Sequence, residues 1–156
     1  MKITLLVVGK TTDAHIEALL QDYQKRLVHY VPFNIAVIPE LKNTKSLTSE
    51  QQKQAEGELI LRQITPSTDM ILLDERGKEY RSIEYADYLQ KKMSSGRDVV
   101  FVVGGPYGFS EAVYQRANGK ISLSKMTFSH QMVRLFFVEQ LYRAMTILRG
   151  EPYHHE

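Results

Sequence analysis

The chain has 156 residues, no cysteine, and 20 basic against 18 acidic side chains, for a formal net charge of +2. That length suits one domain spanning 1–156, able to bury roughly 70% of the surface its unfolded form exposes. The lack of cysteine excludes disulfide staples and thiolate sites, and with no leader pattern and no apolar run of about 20 residues the sequence predicts a soluble, cytoplasmic protein with no metal and no membrane partner.

Ile3–Val8 is an apolar run closed by Gly9 and reads as a buried strand. Asp13 is placed to cap a helix in which Ile16, Leu19, Leu20, Tyr23, Leu27 and Tyr30 recur at spacings of three and four. Pro32 ends it, and Phe33–Ile38 is a second strand, closed by Pro39. Glu40–Thr48 is polar and carries Lys42 and Lys45, the composition of a surface loop that also suits phosphate contact. Ser49 with Gln52 predicts a capping box for a helix to about Ile64, with Ala55, Leu59 and Ile60 facing inward.

Met70–Leu73 predicts a third strand, with Asp74–Lys78 on the turn at its carboxyl end. Ser82 is placed to cap a helix that buries Ala86, Leu89 and Met93 and stops at Gly96. Val99–Val103 is a run of five apolar, mostly β-branched residues, a strand buried on both faces. Gly104, Gly105, Pro106, Tyr107 and Gly108 follow, and Ser110 caps a short helix over Glu111–Ala117. A strand, a glycine-rich turn and a helix in succession place bare backbone where open α/β sheets bind ligands, although a tight turn alone would also require glycine. The turn matches neither the dinucleotide-binding fingerprint nor the P-loop.

Ile121–Leu123 is short enough for a last strand, and a loop through Ser124, Lys125, Met126, Thr127, Phe128 and Ser129 leads to His130. The longest helical pattern runs from His130 to Arg149, closed by Gly150 and Pro152. Its apolar residues, Phe136, Phe137 and Leu141 among them, point in nearly every direction, so it needs cover on the side away from the sheet, most simply from a second copy of the chain. Strands alternating with helices predict an α/β fold: a mainly parallel sheet of about five strands with helices on both faces.

From Leu123 onward, Ser-Lys-Met-Thr-Phe-Ser-His-Gln, then Met-Val-Arg, then Glu139-Gln140-Leu141-Tyr142-Arg143-Ala144, the chain resembles one family. It looks like the small bacterial methyltransferases of the SPOUT, or α/β-knot, class that methylate N3 of a pseudouridine in 23S ribosomal RNA. The resemblance covers the whole chain, from Met1-Lys2-Ile3 and Val8-Gly9-Lys10 through Gly104-Gly105 to Pro152-Tyr153-His154. It implies an S-adenosylmethionine site built from Leu73, the Gly104-Gly105 turn, and the loop Leu123, Ser124, Lys125, Met126, Thr127 and Phe128. It also implies a C-terminal trefoil knot, which general topology rules disfavour, and a homodimer with the site near the interface. Ser129 departs from the family, which often has proline before this histidine.

Methylating N3 of a uracil-like ring requires removal of a weakly acidic proton and stabilisation of charge on the flanking carbonyl oxygens. His130, Arg143, Tyr153, His154 and His155 are the candidates for that work. Each also has a structural role open to it: His130 as a cap of the long helix, Arg143 as an i,i+4 partner of Glu139, and the tail as a disordered terminus. A tail leaving a helix at a dimer interface could instead complete the partner's site. Two other functions stay open: a methyltransferase of the same class acting on another RNA such as tRNA, and a ribosome- or RNA-binding module without catalysis.

Overall fold

The computed structural model describes Met1–His155. Five strands, β1 (Ile3–Val8), β2 (Phe33–Ile38), β3 (Asp69–Glu79), β4 (Val99–Val103) and β5 (Gly119–Ser122), form one sheet in the order β2-β1-β4-β3-β5. All four pairings are parallel. The expected α/β architecture is thus present, with the order reversing between β1 and β4, where ligands of such sheets bind.

Strand alternation divides the core. Ile3, Leu5 and Val7 of β1 and Val99, Phe101 and Val103 of β4 face α1 (Ala14–Leu27), α3 (Ser82–Ser94) and α5 (Met132–Leu148). Leu6, Met70, Leu72 and Val102 face the other way, toward α2 (Ser49–Arg62) and α4 (Glu111–Arg116). Phe101 and Phe137 are fully buried with ring centroids 4.9 Å apart, each side chain worth about 1.5–3 kcal/mol of apolar burial.

Local chemistry sets the helix starts, in several places one or two residues from the sequence expectation. Asp13 caps α1 as expected, accepting from His15 N at 2.9 Å and Ile16 N at 3.2 Å, but the helix ends at Leu27 and Leu19 faces solvent. The capping box of α2 is Thr48 with Gln51, not Ser49 with Gln52: Gln51 N donates to Thr48 Oγ1 at 3.0 Å, and Thr48 N to Gln51 Oε1 at 2.9 Å. The buried side of α2 is Glu56, Gly57 and Ile60, with Ala55 and Leu59 only half-buried. Arg81, not Ser82, precedes α3, its N–H held by Glu84 Oε1 at 2.8 Å.

The expected turn at Asp74–Lys78 is also corrected. β3 continues to Glu79, and Ile121 of β5 pairs with both Leu73 and Lys78, so residues 74–77 loop out of the ladder as a wide bulge. Only glycine fits at its base, because a Cβ on Gly77 would lie 2.7 Å from backbone atoms of Ile121. β5 begins at Gly119 and ends at Ser122, two residues and one residue earlier than expected.

α5 begins at Met132 with Gln131 at its N-cap position and no side-chain bond from that residue; Met132 N donates instead to Ser129 Oγ at 3.1 Å, and His130 gives no cap. The residue that departs from the family's proline therefore satisfies an N–H at the start of the helix. Phe137, Val138, Leu141, Ala144 and Met145 are buried, and the helix packs on both α1 and α3. Of the three residues expected to project in different directions, Phe137 and Leu141 point inward and Phe136 outward, 40% exposed. Much of the cover that α5 needs thus comes from its own chain.

Candidate functional site

The carboxyl ends of β3 and β4 and the segment before α5 enclose a cleft of about 520 Å³. Leu73, Asp74, Glu75 and Arg76 form one wall and Val103 to Phe109 the floor. Leu123, Ser124, Met126, Thr127, Phe128 and His130 form the other wall. The last wall is shaped by short bonds: Ser122 Oγ donates to the Ser124 carbonyl at 2.8 Å, and Met126 N to Ser124 Oγ at 2.9 Å. Behind it the Phe128 ring rests on Phe136, centroids 5.0 Å apart.

The glycines of the floor have distinct reasons. Gly108, at φ +82°, supplies the left-handed conformation that closes the turn, with its N–H on the Gly105 carbonyl at 3.1 Å. Gly104 and Gly105 are glycines because of their neighbours. A Cβ on Gly104 would sit 3.1 Å from the Phe109 ring, and one on Gly105 would fall onto the Glu56 carboxylate. Glu56 reaches this position from α2, on the opposite face of the sheet from α5.

Arg134 anchors the far end of the cleft. The residue is 2% exposed, and its guanidinium donates to the Val8 carbonyl at 3.0 Å, Thr11 Oγ1 at 3.1 Å and the His130 carbonyl at 2.9 Å. Gln131 adds a second tie, its Oε1 accepting from Thr12 N at 2.8 Å. The segment that leaves edge strand β5 is thereby fastened beside the end of β1.

On the near wall, Tyr114 Oη donates to Asp74 Oδ2, Arg76 N donates to Asp74 Oδ1 at 2.9 Å, and Arg76 Nη2 donates to Tyr114 Oη at 3.0 Å. Burial alone would raise the Asp74 pKa, but the Tyr114 and Arg76 hydrogen bonds outweigh it and hold the carboxyl below its ordinary value.

Of the residues expected to bind cofactor, Leu73, Gly104, Gly105, Leu123, Ser124, Met126, Thr127 and Phe128 line this cleft. Lys125 does not: its side chain is exposed, with the ammonium 3.8 Å from Glu79. His130 lines the cleft, whereas Arg143, Tyr153 and His154 form a separate cluster. There Arg143 Nη2 donates to Glu139 Oε1 at 2.7 Å, Tyr153 Oη donates to the same oxygen at 2.9 Å, and Tyr23 Oη lies 3.1 Å from Tyr153 Oη. Burial first, then Tyr23 and Glu139, push the Tyr153 hydroxyl well above the usual phenol range. Arg143 Nη1 lies 3.1 Å from His154 Nδ1, and because a guanidinium only donates, Nδ1 accepts. The tail through His154 folds back over α5 and α1 of its own chain, with the Tyr153 and Tyr142 rings 4.8 Å apart.

Asp74, Arg76, Phe109, Tyr114, Glu56 and Arg134 were not among the expected site residues. Position at the end of β3 was the available signal for Asp74 and Arg76. For Glu56 the signal was its spacing of four from buried Ile60 on α2.

Fold and cleft together define an open α/β protein that holds a small molecule at the ends of parallel strands. The family described as "Predicted SPOUT methyltransferase" matches residues 1–154. A protein of Bacteroides thetaiotaomicron named ribosomal RNA large subunit methyltransferase H is 62% identical, with all of both chains covered. Proteins of the same name from Parabacteroides distasonis and Flavobacterium psychrophilum are 59% and 57% identical, again over the full length of both chains. This chain belongs to the SPOUT methyltransferase family. It is a methyltransferase, and among its described residues no helix is long and apolar enough to cross a membrane.

Proposed function

We propose that this protein is an S-adenosylmethionine-dependent methyltransferase of the cytoplasm, acting as one domain over 1–156, that modifies N3 of a pseudouridine in 23S ribosomal RNA. The observation that carries the reading is the convergence of three segments distant in sequence, 73–76, 103–109 and 123–130, on one cleft. The names of the full-length relatives supply the substrate class. The segment 123–131 leaves edge strand β5 and crosses to the end of β1, a course consistent with the family's trefoil knot.

The residues present fit this donor. Backbone of Leu73, Gly104 and the 123–128 loop is available to an adenosine, and Glu56, a buried carboxyl behind the floor with one oxygen unpartnered among the described residues, suits a cationic ligand. When bound, S-adenosylmethionine supplies an electrophilic methyl group on a positively charged sulfur. The chain's own residues must hold the base, take its N3 proton and balance charge on the carbonyl oxygens. His130, which lines the cleft, is the residue this reading assigns to the proton. Arg143, Tyr153 and His154 line no part of their own chain's cleft, so in a homodimer they would act on the partner's, with Tyr153 stacking on the base and Arg143 facing phosphate or oxyanion.

Mass mapping of ribosomal RNA from a strain lacking the gene tests the assignment. The expected result is loss of one methyl group from a 23S pseudouridine, restored by the gene. A methyl group lost from tRNA instead would reassign the substrate, and unchanged RNA would leave only a binding module.

A further inference from the structure

Glu56 is 4% exposed. Gln52 Nε2 approaches its Oε2 at 3.4 Å, near the outer limit for a hydrogen bond, and Oε1 has no hydrogen-bond partner among the described residues. Burial, foremost, raises its pKa; Gln52 and the charge of His130 act against this, and Glu40 adds to it. No lysine or arginine is among these influences. A buried carboxyl in such surroundings is stable either protonated or beside a cation.

The position of the group favours the second. Glu56 is not itself in the cleft lining but packs directly behind Gly105, which is; the missing Cβ at 105 leaves the room the carboxyl occupies, so that only the glycine backbone stands between it and the cleft. Its counterpart on the cleft wall, Asp74, is already satisfied by Tyr114 and the Arg76 N–H. Glu56 is therefore an acid with unused acceptor capacity beside the floor of the cleft.

We propose that Glu56 is the buried counter-charge for a cationic centre of the methyl donor. The inference rests on the cleft being the S-adenosylmethionine site. Two centres of that molecule qualify, the sulfonium and the α-ammonium. In the reaction the carbon–sulfur bond breaks, the N3–methyl bond forms, sulfur keeps the electron pair as a neutral sulfide, and the N3 proton leaves to a base. Only the sulfonium charge disappears. A counter-charge to the sulfonium would therefore hold donor more tightly than demethylated product and aid product release. One facing the ammonium would hold both equally.

Calorimetric titration of the full chain and of Glu56→Gln with three ligands separates these. S-adenosylmethionine carries both cations, S-adenosylhomocysteine the ammonium alone, and 5′-methylthioadenosine neither. The expected result is about a tenfold loss of S-adenosylmethionine affinity with 5′-methylthioadenosine unchanged. An equal loss for S-adenosylhomocysteine assigns the ammonium, and no loss assigns the sulfonium. Equal changes for all three ligands, or none, would overturn the proposal while leaving the cofactor reading in place. If the unsubstituted protein bound none of them, the cofactor reading would fail and this inference with it. Should Glu56→Gln not fold, carbon-13 NMR of the unsubstituted protein reads the same effect. The Glu56 titration should fall by about one pH unit with S-adenosylmethionine, equivalent to tenfold, and stay put with 5′-methylthioadenosine; a titration moved by neither would overturn the proposal.

Discussion

Gly104 and Phe109 act as a pair. The Phe109 ring is buried, and it occupies the space a side chain at 104 would need. Gly104→Val should consequently lower stability by about 1–3 kcal/mol through overpacking, and should weaken cofactor binding about tenfold or more, ~1.4 kcal/mol, because the displaced ring carries the floor with it. Urea denaturation together with calorimetry checks both, and a variant of unchanged stability would show that the turn yields without strain. At this scale the sequence told which backbone lines the cleft, since an apolar run ending in Gly-Gly-Pro marks a strand end. It did not tell what lies beneath. Glu56 and Arg134 carry charge, and residues of those types are almost never fully buried unless paired, so pattern alone assigns them to the surface.

Among the elements, α5 illustrates how a helix can position a site to whose lining it gives only Val133. Its first turns carry Arg134, whose donors join the end of β1, the following turn and the carbonyl of His130. Replacing it by Met keeps volume but strands the Val8 and His130 carbonyls. Arg134→Met is expected to cost on the order of 2–3 kcal/mol and to weaken cofactor affinity by loosening the 123–130 loop. Thermal unfolding and a binding titration measure the two effects; affinity preserved in a folded variant would mean the loop holds itself. All five strands and five helices were legible from apolar runs and periodicity, and the errors fell at their ends. Thr48 rather than Ser49 caps α2, and Ser129 rather than His130 accepts from the first N–H of α5, differences of one residue that local pattern does not resolve. The bulge at 74–77 was illegible because it depends on pairing with β5, a contact distant in sequence.

For the whole molecule the open element is the second copy. Phe136 and Met132 on α5 stay partly exposed, and the Arg143–Glu139–Tyr153–His154 cluster lies outside the cleft of its own chain. Sedimentation at micromolar concentration is expected to show a dimer. Removing residues 153–156 should abolish methyl transfer and leave cofactor affinity nearly intact. Mixing the truncated chain with a Gly104→Val chain should restore activity in heterodimers, if that variant folds, because one cleft and one tail remain whole. A stable monomer, or a fully active truncated homodimer, would refute a site shared between chains. The knot was not readable from composition or periodicity, which report local pattern, and entered through resemblance; the second copy was suggested by the all-round apolar pattern of 130–149 and by the resemblance together.

The central claim is that this cleft delivers a methyl group to ribosomal RNA. The most direct measurement incubates the purified protein with S-adenosylmethionine labelled in its methyl group and, separately, with ribosomes, free 23S RNA and tRNA from a strain lacking the gene. Label is then located by nuclease digestion and mass spectrometry. The account predicts label on N3 of a single pseudouridine of 23S RNA and none in tRNA. Label in tRNA, or none in any RNA from a protein that binds the cofactor, would contradict it.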